Sequence, residues 1–505
     1  MQSPNVFKTK SHKSPRNPFD LGHDDYFTKS AGLLTPIYCE DTLPGDYFKV
    51  NVSAFTRTET LNSAAYTRIH EYVDFYFIPN RIVWRWFSDM ESAVPNTDSS
   101  YNPNNNTVPT KLPYILGSQL YTLLNGTQND VMGLPLRHTL HRMMSFLGFP
   151  TGPTLEITKE WYNPSSTISP GKQLASKQFS VLRLFAFTRI YRDYYRNTDW
   201  EPNDSLAVNL DKYASGGNVT DADLLHWFVY LSTCYKNIPK DMFMSQKPSP
   251  LYSTDLVPVG TNADTFSNLA SAANMSTIKG TVPAVGTQMS ISAQSIRMVL
   301  ALEKVAQLSM LAPKTYAGQM KAHYNVDVSA CDNSSPRFVG SYHADIGIGE
   351  VTATAAGDNG GGTSTLGQIA GKGIGTGNGS FKFHCVEKGI LMGIHYIMPE
   401  QSYNSDQVDP MITKLTRNDM YQPEFDALGL SPVTLGEFIG CNFTTQSALP
   451  TVSGYRARYS EYKSRVSKCH GPFQSGGSLD YWTTPWVFGK GNIAAFNPGV
   501  YKISP

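Results

Sequence analysis

From Phe48 to Ala54 the chain alternates apolar and polar side chains one by one. Phe48, Val50, Val52 and Ala54 therefore share one face of a pleated strand, and Lys49, Asn51 and Ser53 take the other. The same period returns from Ile69 to Phe77. There Ile69, Val73, Phe75 and Phe77 share a face broken by Glu71, His70, Tyr72, Asp74 and Tyr76 point away, and Pro79 ends the run. Half-buried strands separated by long loops rich in Asn, Gly, Ser, Thr and Pro point to a single β scaffold carrying large excursions. No clean linker divides the 505 residues.

Strand-like runs recur at 336–342, 381–398 and 484–488, and Gly389 to Met398 is apolar enough to be covered on both sides. Between them, positions 346–380 hold 12 glycines in 35 residues, which predicts an irregular loop rather than a packed helix or a regular strand. Helical spacing predicts a helix capped by Asn80 (Ile82, Val83, Trp86, Phe87, Met90) and others at 135–148, 181–197, 221–235 and 293–311. Thr220 and Asp223 form a capping-box-like start to the helix at 221–235.

The apolar fraction, 40%, excludes disorder, but charged residues are only 16% against 12% aromatic, so little of the surface is ionic. A net charge of +1 argues against a protein that coats nucleic acid by electrostatics alone. No stretch approaches 18 apolar residues, so no membrane span is expected. Met1 to Asn17 has no apolar centre, so no secretory signal is expected and synthesis in the cytoplasm is. The six cysteines form no CxxC pair and read as free thiols.

Catalytic and cofactor signatures are missing. The glycines at 371, 373, 375, 377 and 379 have period two, whereas a dinucleotide fingerprint needs GxGxxG between a strand and a helix. His138 and His141 could share a helix face and a metal, but Arg137 and Arg142 flank them, and packing is the preferred reading. His70 to Asp74 lacks the second histidine of HExxH, and Gly476 to Asp480 fails as a nucleophile elbow. The carboxylate pairs Asp24/Asp25 and Asp221/Asp223 read as capping or solvation. No catalytic residue, metal ligand or cofactor is assigned.

Two basic features remain. Lys8, Lys10, Lys13 and Arg16 precede the first acid, Asp20, in a segment holding Pro4, Pro15 and Pro18, and such an arm can neutralise a few phosphates by counterion release. These four are the candidate nucleic-acid contacts. Arg183, Arg189, Arg192 and Arg196 interleave with Phe185, Tyr191, Tyr194 and Tyr195, which could stack bases; a packed helix with a basic rim is preferred.

Ordered blocks along most of the chain carry a resemblance. They are Asn17-Pro18-Phe19-Asp20-Leu21, Leu43-Pro44-Gly45-Asp46, Phe75 to Arg81 with Trp84 and Trp86, Ala186 to Asn197, and Cys234 to Lys247. Arg297 to Leu302 with His323-Tyr324, Arg337-Phe338-Val339-Gly340, Leu366-Gly367-Gln368, Lys388-Gly389-Ile390 and Tyr455 to Val466 follow. In this order they resemble the major capsid proteins of the Microviridae, small single-stranded DNA bacteriophages, nearest to the gokushoviruses.

The resemblance implies a mainly β fold: one domain over 1–505, an eight-stranded antiparallel jelly roll with large loop insertions containing several helices. Within it lie the basic arm 1–20, an insertion with a helix at 91–180, an outward-facing insertion at 259–292 and the Gly-rich loop 346–380. It further implies an icosahedral shell of the simplest kind around a circular single-stranded DNA genome. The expected partners are other copies of the chain, the genome, a small basic DNA-binding protein, scaffolding and pilot proteins, and a receptor on the bacterial host surface. The chain is then expected in the virion after synthesis in the host bacterial cytoplasm. Because 259–292 is short and rich in Ala, Ser, Thr and Gly, a small or absent threefold protrusion is expected. Composition alone leaves a secreted β-sandwich hydrolase or carbohydrate-binding protein as the alternative.

Overall fold

The computed structural model describes residues 17–503, apart from 60–64, 93–108, 127–135, 168, 205–208, 232–233, 251–292, 330–333, 353–356, 359–362, 365–368, 418, 427, 442–445, 484–495 and 497. Its main element is a six-stranded sheet of β1 (Thr35–Thr42), β2 (Tyr47–Arg57), β3 (Ile69–Pro79), β4 (Arg337–Thr352), β5 (Ile369–His384) and β6 (Gly389–Pro399). The order is β1-β6-β3-β4-β5-β2, with every neighbour antiparallel.

That order forces the sheet to curl. β1 and β2 lie at opposite edges, about 24 Å apart in a flat sheet at ~4.8 Å per strand. The link from Thr42 to Tyr47 reaches only about 17 Å when fully extended. The two edges must therefore bend toward each other, and Tyr38 of β1 meets Phe48 and Val50 of β2 in one apolar cluster with Phe383 and Leu391. The corner is made in β4. Its first part, Arg337 to Ile346, pairs with β3, and its end, Ile346 to Thr352, pairs with β5.

The faces of β2 and β3 agree with their sequence period. Val73, Phe75 and Phe77 point into the curl with Tyr342 and Ala344, while Tyr76 and Ile78 point outward onto helices. β6 is buried on both faces, as its composition predicts. Inside, the sheet packs on itself; outside, Ile390, Met392 and Ile394 pack against Trp84, Trp86, Phe185, Phe187 and Trp227. A second core, with Tyr403, Phe438 and Tyr501, gathers the chain after β6 around Ile238, Phe243 and Met244.

Two expectations are corrected. The glycine-rich stretch is not a continuous irregular loop: much of it is the regular strands β4 and β5. The period-two glycines of β5 face the interior, where larger residues would collide. A Cβ on Gly377 would lie 2.5 Å from Tyr342 Oη and 2.9 Å from Ala344 Cβ, and one on Gly375 2.8 Å from Ile346 Cγ1. Close approach, not disorder, explains the glycine here. Second, Asn80 is no cap. Pro79 occupies that position, the helix spans only Asn80–Val83, and Trp84 returns to extended backbone. The break lets Trp84 and Trp86 donate their indole N–H groups to the carbonyls of Tyr213 and Asp211, each at 3.1 Å.

The other expected helices fall within their spans: Leu136–Phe146, Leu182–Ile190 continued by a π turn to Tyr195, Asp221–Leu231 and Ala293–Leu311. Thr220 Oγ1 accepts the Asp223 N–H at 3.4 Å, but the Asp223 carboxylate turns to Lys212 and Tyr213 instead of closing the box. Positions 484–488 and 259–292 lie outside the described residues.

Candidate functional site

Lys8, Lys10, Lys13 and Arg16 also lie outside the described residues; description begins at Asn17. From there the arm runs exposed, with Phe19 at 83%, until Phe27 packs edge-on against Phe146 and His395. Lys29 then enters the end of the curled sheet, donating to the His395 carbonyl at 2.7 Å and to His395 Nδ1 at 3.0 Å. Lys29 and Phe27 thus both tie the arm to His395 at the end of the curled sheet.

The Arg/Tyr segment is committed within the chain, as the packing reading expects. Arg189 pairs with Asp193 at 3.1 Å and donates to the Ser334 carbonyl at 2.9 Å; Arg192 donates to Asn203, and Arg196 to the Glu201 carbonyl. Tyr191 and Tyr195 are buried. Tyr195 Oη donates to Asp74 at 2.8 Å, so its ring closes the outer face of the sheet rather than offering a platform to a base. His141 Nε2 meets the Gly152 carbonyl at 3.0 Å, again a packing role, and the side chain of His138 lies outside the described residues. Cys39, Cys234, Cys385, Cys441 and Cys469 are free thiols. Burial pushes the Cys39 thiol up to about 12. No helix among the described residues is long and apolar enough to cross a membrane.

What the chain offers outward is apolar surface. In the helix Ala293–Leu311, Ala306 and Met310 are buried, whereas Met298, Val299, Leu300, Val305, Leu308 and Leu311 are exposed, Leu300 by 58%. The following helix, Tyr316–Tyr324, is capped by Thr315 and turned back by Gln319, which donates to the Ser309 carbonyl at 2.9 Å. It adds exposed Tyr316 and Tyr324. Ile412, Leu415, Met420, Tyr421 and Phe425 are exposed apolar side chains as well. A helix that is apolar on more than one side needs cover, and contiguous patches of this kind mark association surfaces. Sequence periodicity located the helix at 293–311 but not which of its sides stays open.

Comparison with known proteins gives the same direction. A family model described as capsid protein (F protein) matches residues 7–147 and 153–488. Capsid protein VP1 of Chlamydia phage 1 is 23% identical, covering 95% of this chain and 89% of that protein. Capsid protein VP1 of Bdellovibrio phage phiMH2K is 22% identical, covering 89% of this chain and 81% of that protein.

Proposed function

The chain belongs to the phage capsid protein (F protein) family and is a viral major capsid protein; from that premise we propose how it builds its shell. Copies of the chain assemble around the genome, and the observation that carries the detail is the helix Ala293–Leu311, whose apolar side chains remain open in a single chain. A second copy covers them. Contacts repeated by rotation about several axes close on themselves, and many modest contacts add up once the copies are held together. The simplest closed arrangement, one copy per icosahedral position (T=1), is the one proposed.

The finer fold is a jelly roll. Its strands pair in nested fashion, first with last, second with last but one, and so inward. Here β1 pairs with β6, β2 with β5 and β3 with β4, a nesting of this kind with three levels. The eight-strand count requires a fourth level between β3 and β4, where the long helical insertion lies.

The genome contact is assigned to Lys8, Lys10, Lys13 and Arg16. With +1 per chain, neutralising a circular single-stranded DNA needs a small basic DNA-binding protein as partner. Scaffolding and pilot proteins and a host surface receptor complete the proposed partners, and the chain is made in the host bacterial cytoplasm before residing in the virion. The segment 259–292 is proposed to face outward with little or no protrusion. A particle reconstruction with a tall threefold spike of these residues contradicts that point.

The test is assembly. Purified chain concentrated and imaged by negative stain is expected to give uniform particles. The double variant Leu300→Asp/Leu308→Asp is expected to keep its circular dichroism and remain subunit-sized. Wild-type chain that stays monomeric at high concentration, or a double variant that assembles equally well, overturns the proposal.

A further inference from the structure

On the outer face of the sheet, β3 and β4 bring together three side chains able to ligate a metal. Residues two apart on a strand share a face, and directly paired residues on antiparallel neighbours hold their Cβ atoms about 4.5–5.5 Å apart. His70 pairs with Asp345 and Tyr72 with His343. His343 and Asp345 therefore sit side by side on β4 with His70 opposite. His70 Nδ1 lies 2.7 Å from Asp345 Oδ1, and His343 Nε2 lies 3.3 Å from the same oxygen. All three donor atoms fall within 4.8 Å of one another. A tetrahedral ion with bonds near 2.0–2.2 Å spaces its ligands about 3.3 Å apart, so a small rotation of one imidazole completes the set.

The rings are held in place. His343 lies 4.8 Å from the Tyr72 ring, which stacks in turn on Tyr396 at 5.1 Å, and the two imidazoles are 5.5 Å apart. Two nitrogens and one carboxylate suit a borderline transition ion; calcium and magnesium prefer oxygen alone. Asp345 is 72% exposed and His343 49%, which leaves the remaining coordination positions open to water. The charge of Arg68 reaches Asp345 and opposes a divalent ion, so the site is moderate in affinity rather than a permanent clamp.

We propose that His70, His343 and Asp345 bind one divalent ion of the zinc, nickel or copper(II) class, joining β3 to β4 at the surface. The inference does not depend on how copies assemble. Untagged full-length chain, stripped with EDTA and titrated with Zn²⁺ against a chromophoric chelator, is expected to show one site per chain. His343→Ala or His70→Ala should weaken it by more than the roughly 10–100-fold that losing an outer-shell partner costs. His226→Ala removes an imidazole paired with Asp204 elsewhere and should leave it unchanged. Asp345→Asn keeps the shape of the strand and should weaken Zn²⁺ binding as the histidine variants do. Bound Cu²⁺ should show two-imidazole coupling in its electron paramagnetic resonance spectrum, reduced to one in either histidine variant. No stoichiometric site, or one that survives His70→Ala/His343→Ala, overturns the proposal.

Discussion

His395 of β6 donates through Nε2 to Glu71 Oε1 of β3 across 2.7 Å, with both side chains only 3% exposed. The other ring nitrogen, Nδ1, accepts from Lys29 Nζ at 3.0 Å, and Thr56 of β2 donates to both carboxylate oxygens at 2.9 Å. The imidazole is therefore neutral, with its single proton on Nε2. β2 and β3 are not neighbours in the sheet, so the Thr56 contact crosses the interior of the curl. One buried carboxylate thus joins the arm, the far edge and the centre of the sheet.

Acid should open this linkage. Burial drives the His395 pKa down to about 4 from 6.5, against the pull of Glu71. Between those values the unfolded chain binds a proton at this site that the folded chain refuses, so stability is full above about 6.5 and lost as pH falls toward 4. Burial pushes Glu71 up, but hydrogen bonds from the neutral His395 ring and from Thr56, with the charge of Lys29, outweigh it and hold its carboxyl below the usual value. Its contribution, present above the unfolded value of 4.5, is lost below that in the same direction. For His395 alone the loss from pH 7 to pH 5 is about 2 kcal/mol. Denaturation midpoints of the unassembled chain at both pH values measure it; His395→Gln should flatten the dependence, and an unchanged slope in that variant removes His395 as its source.

Two glycine substitutions one strand apart should behave oppositely. Gly377→Ala on β5 drives a Cβ into Tyr342 and Ala344 and should cost about 1–3 kcal/mol. Gly347→Ala on β4 meets nothing within 4 Å and should be neutral or stabilising by up to about 1 kcal/mol, since it restricts the unfolded chain. Urea titration of the two variants distinguishes a close-packed strand from a loop, in which both would be tolerated.

Local periods suffice for β2, β3, β6 and the helices at 136–146, 221–231 and 293–311, because each repeats its apolar side chains at the spacing of its own backbone. The glycine-rich part of β5, before the strand-like run at 381–398, escapes the reading because glycine has low strand propensity, although its period of two is itself the signal of a face with no room for side chains. Glu71 was visible as a break in an apolar face. Its partner lies 324 positions away, and no local pattern connects them. His70 and Asp345, 275 positions apart, are hidden for the same reason.

The chain end should be as sensitive as the core. Lys502 is buried with Nζ 3.2 Å from Glu201 Oε1 and 2.7 Å from Tyr191 Oη. Lys502→Met leaves the Glu201 carboxylate without its cation in a buried site, which costs about 3–5 kcal/mol. The double variant Lys502→Met/Glu201→Gln should recover much of this, because an amide needs no countercharge. A double-mutant cycle read by chemical denaturation gives the coupling; simple additivity of the two losses would show that the pair does not act as a unit.

The genome contact proposed for the arm predicts a signature in salt. Lys8, Lys10, Lys13 and Arg16 are four cations in a chain of net charge +1, so removing them leaves the remainder net negative. Each single-strand phosphate neutralised contributes about −0.7 to the slope of log K against log salt. Replacing all four by Gln should therefore lower the steepness of single-stranded DNA binding by about 3, with assembly into particles preserved, because the shell contacts proposed above are apolar and lie on other residues. Fluorescence anisotropy with a labelled oligonucleotide across a salt series measures the slope. An unchanged slope would move the genome contact from the arm to another surface of the shell, whereas a steep slope that persists in the variant would also contradict the need for a separate basic partner.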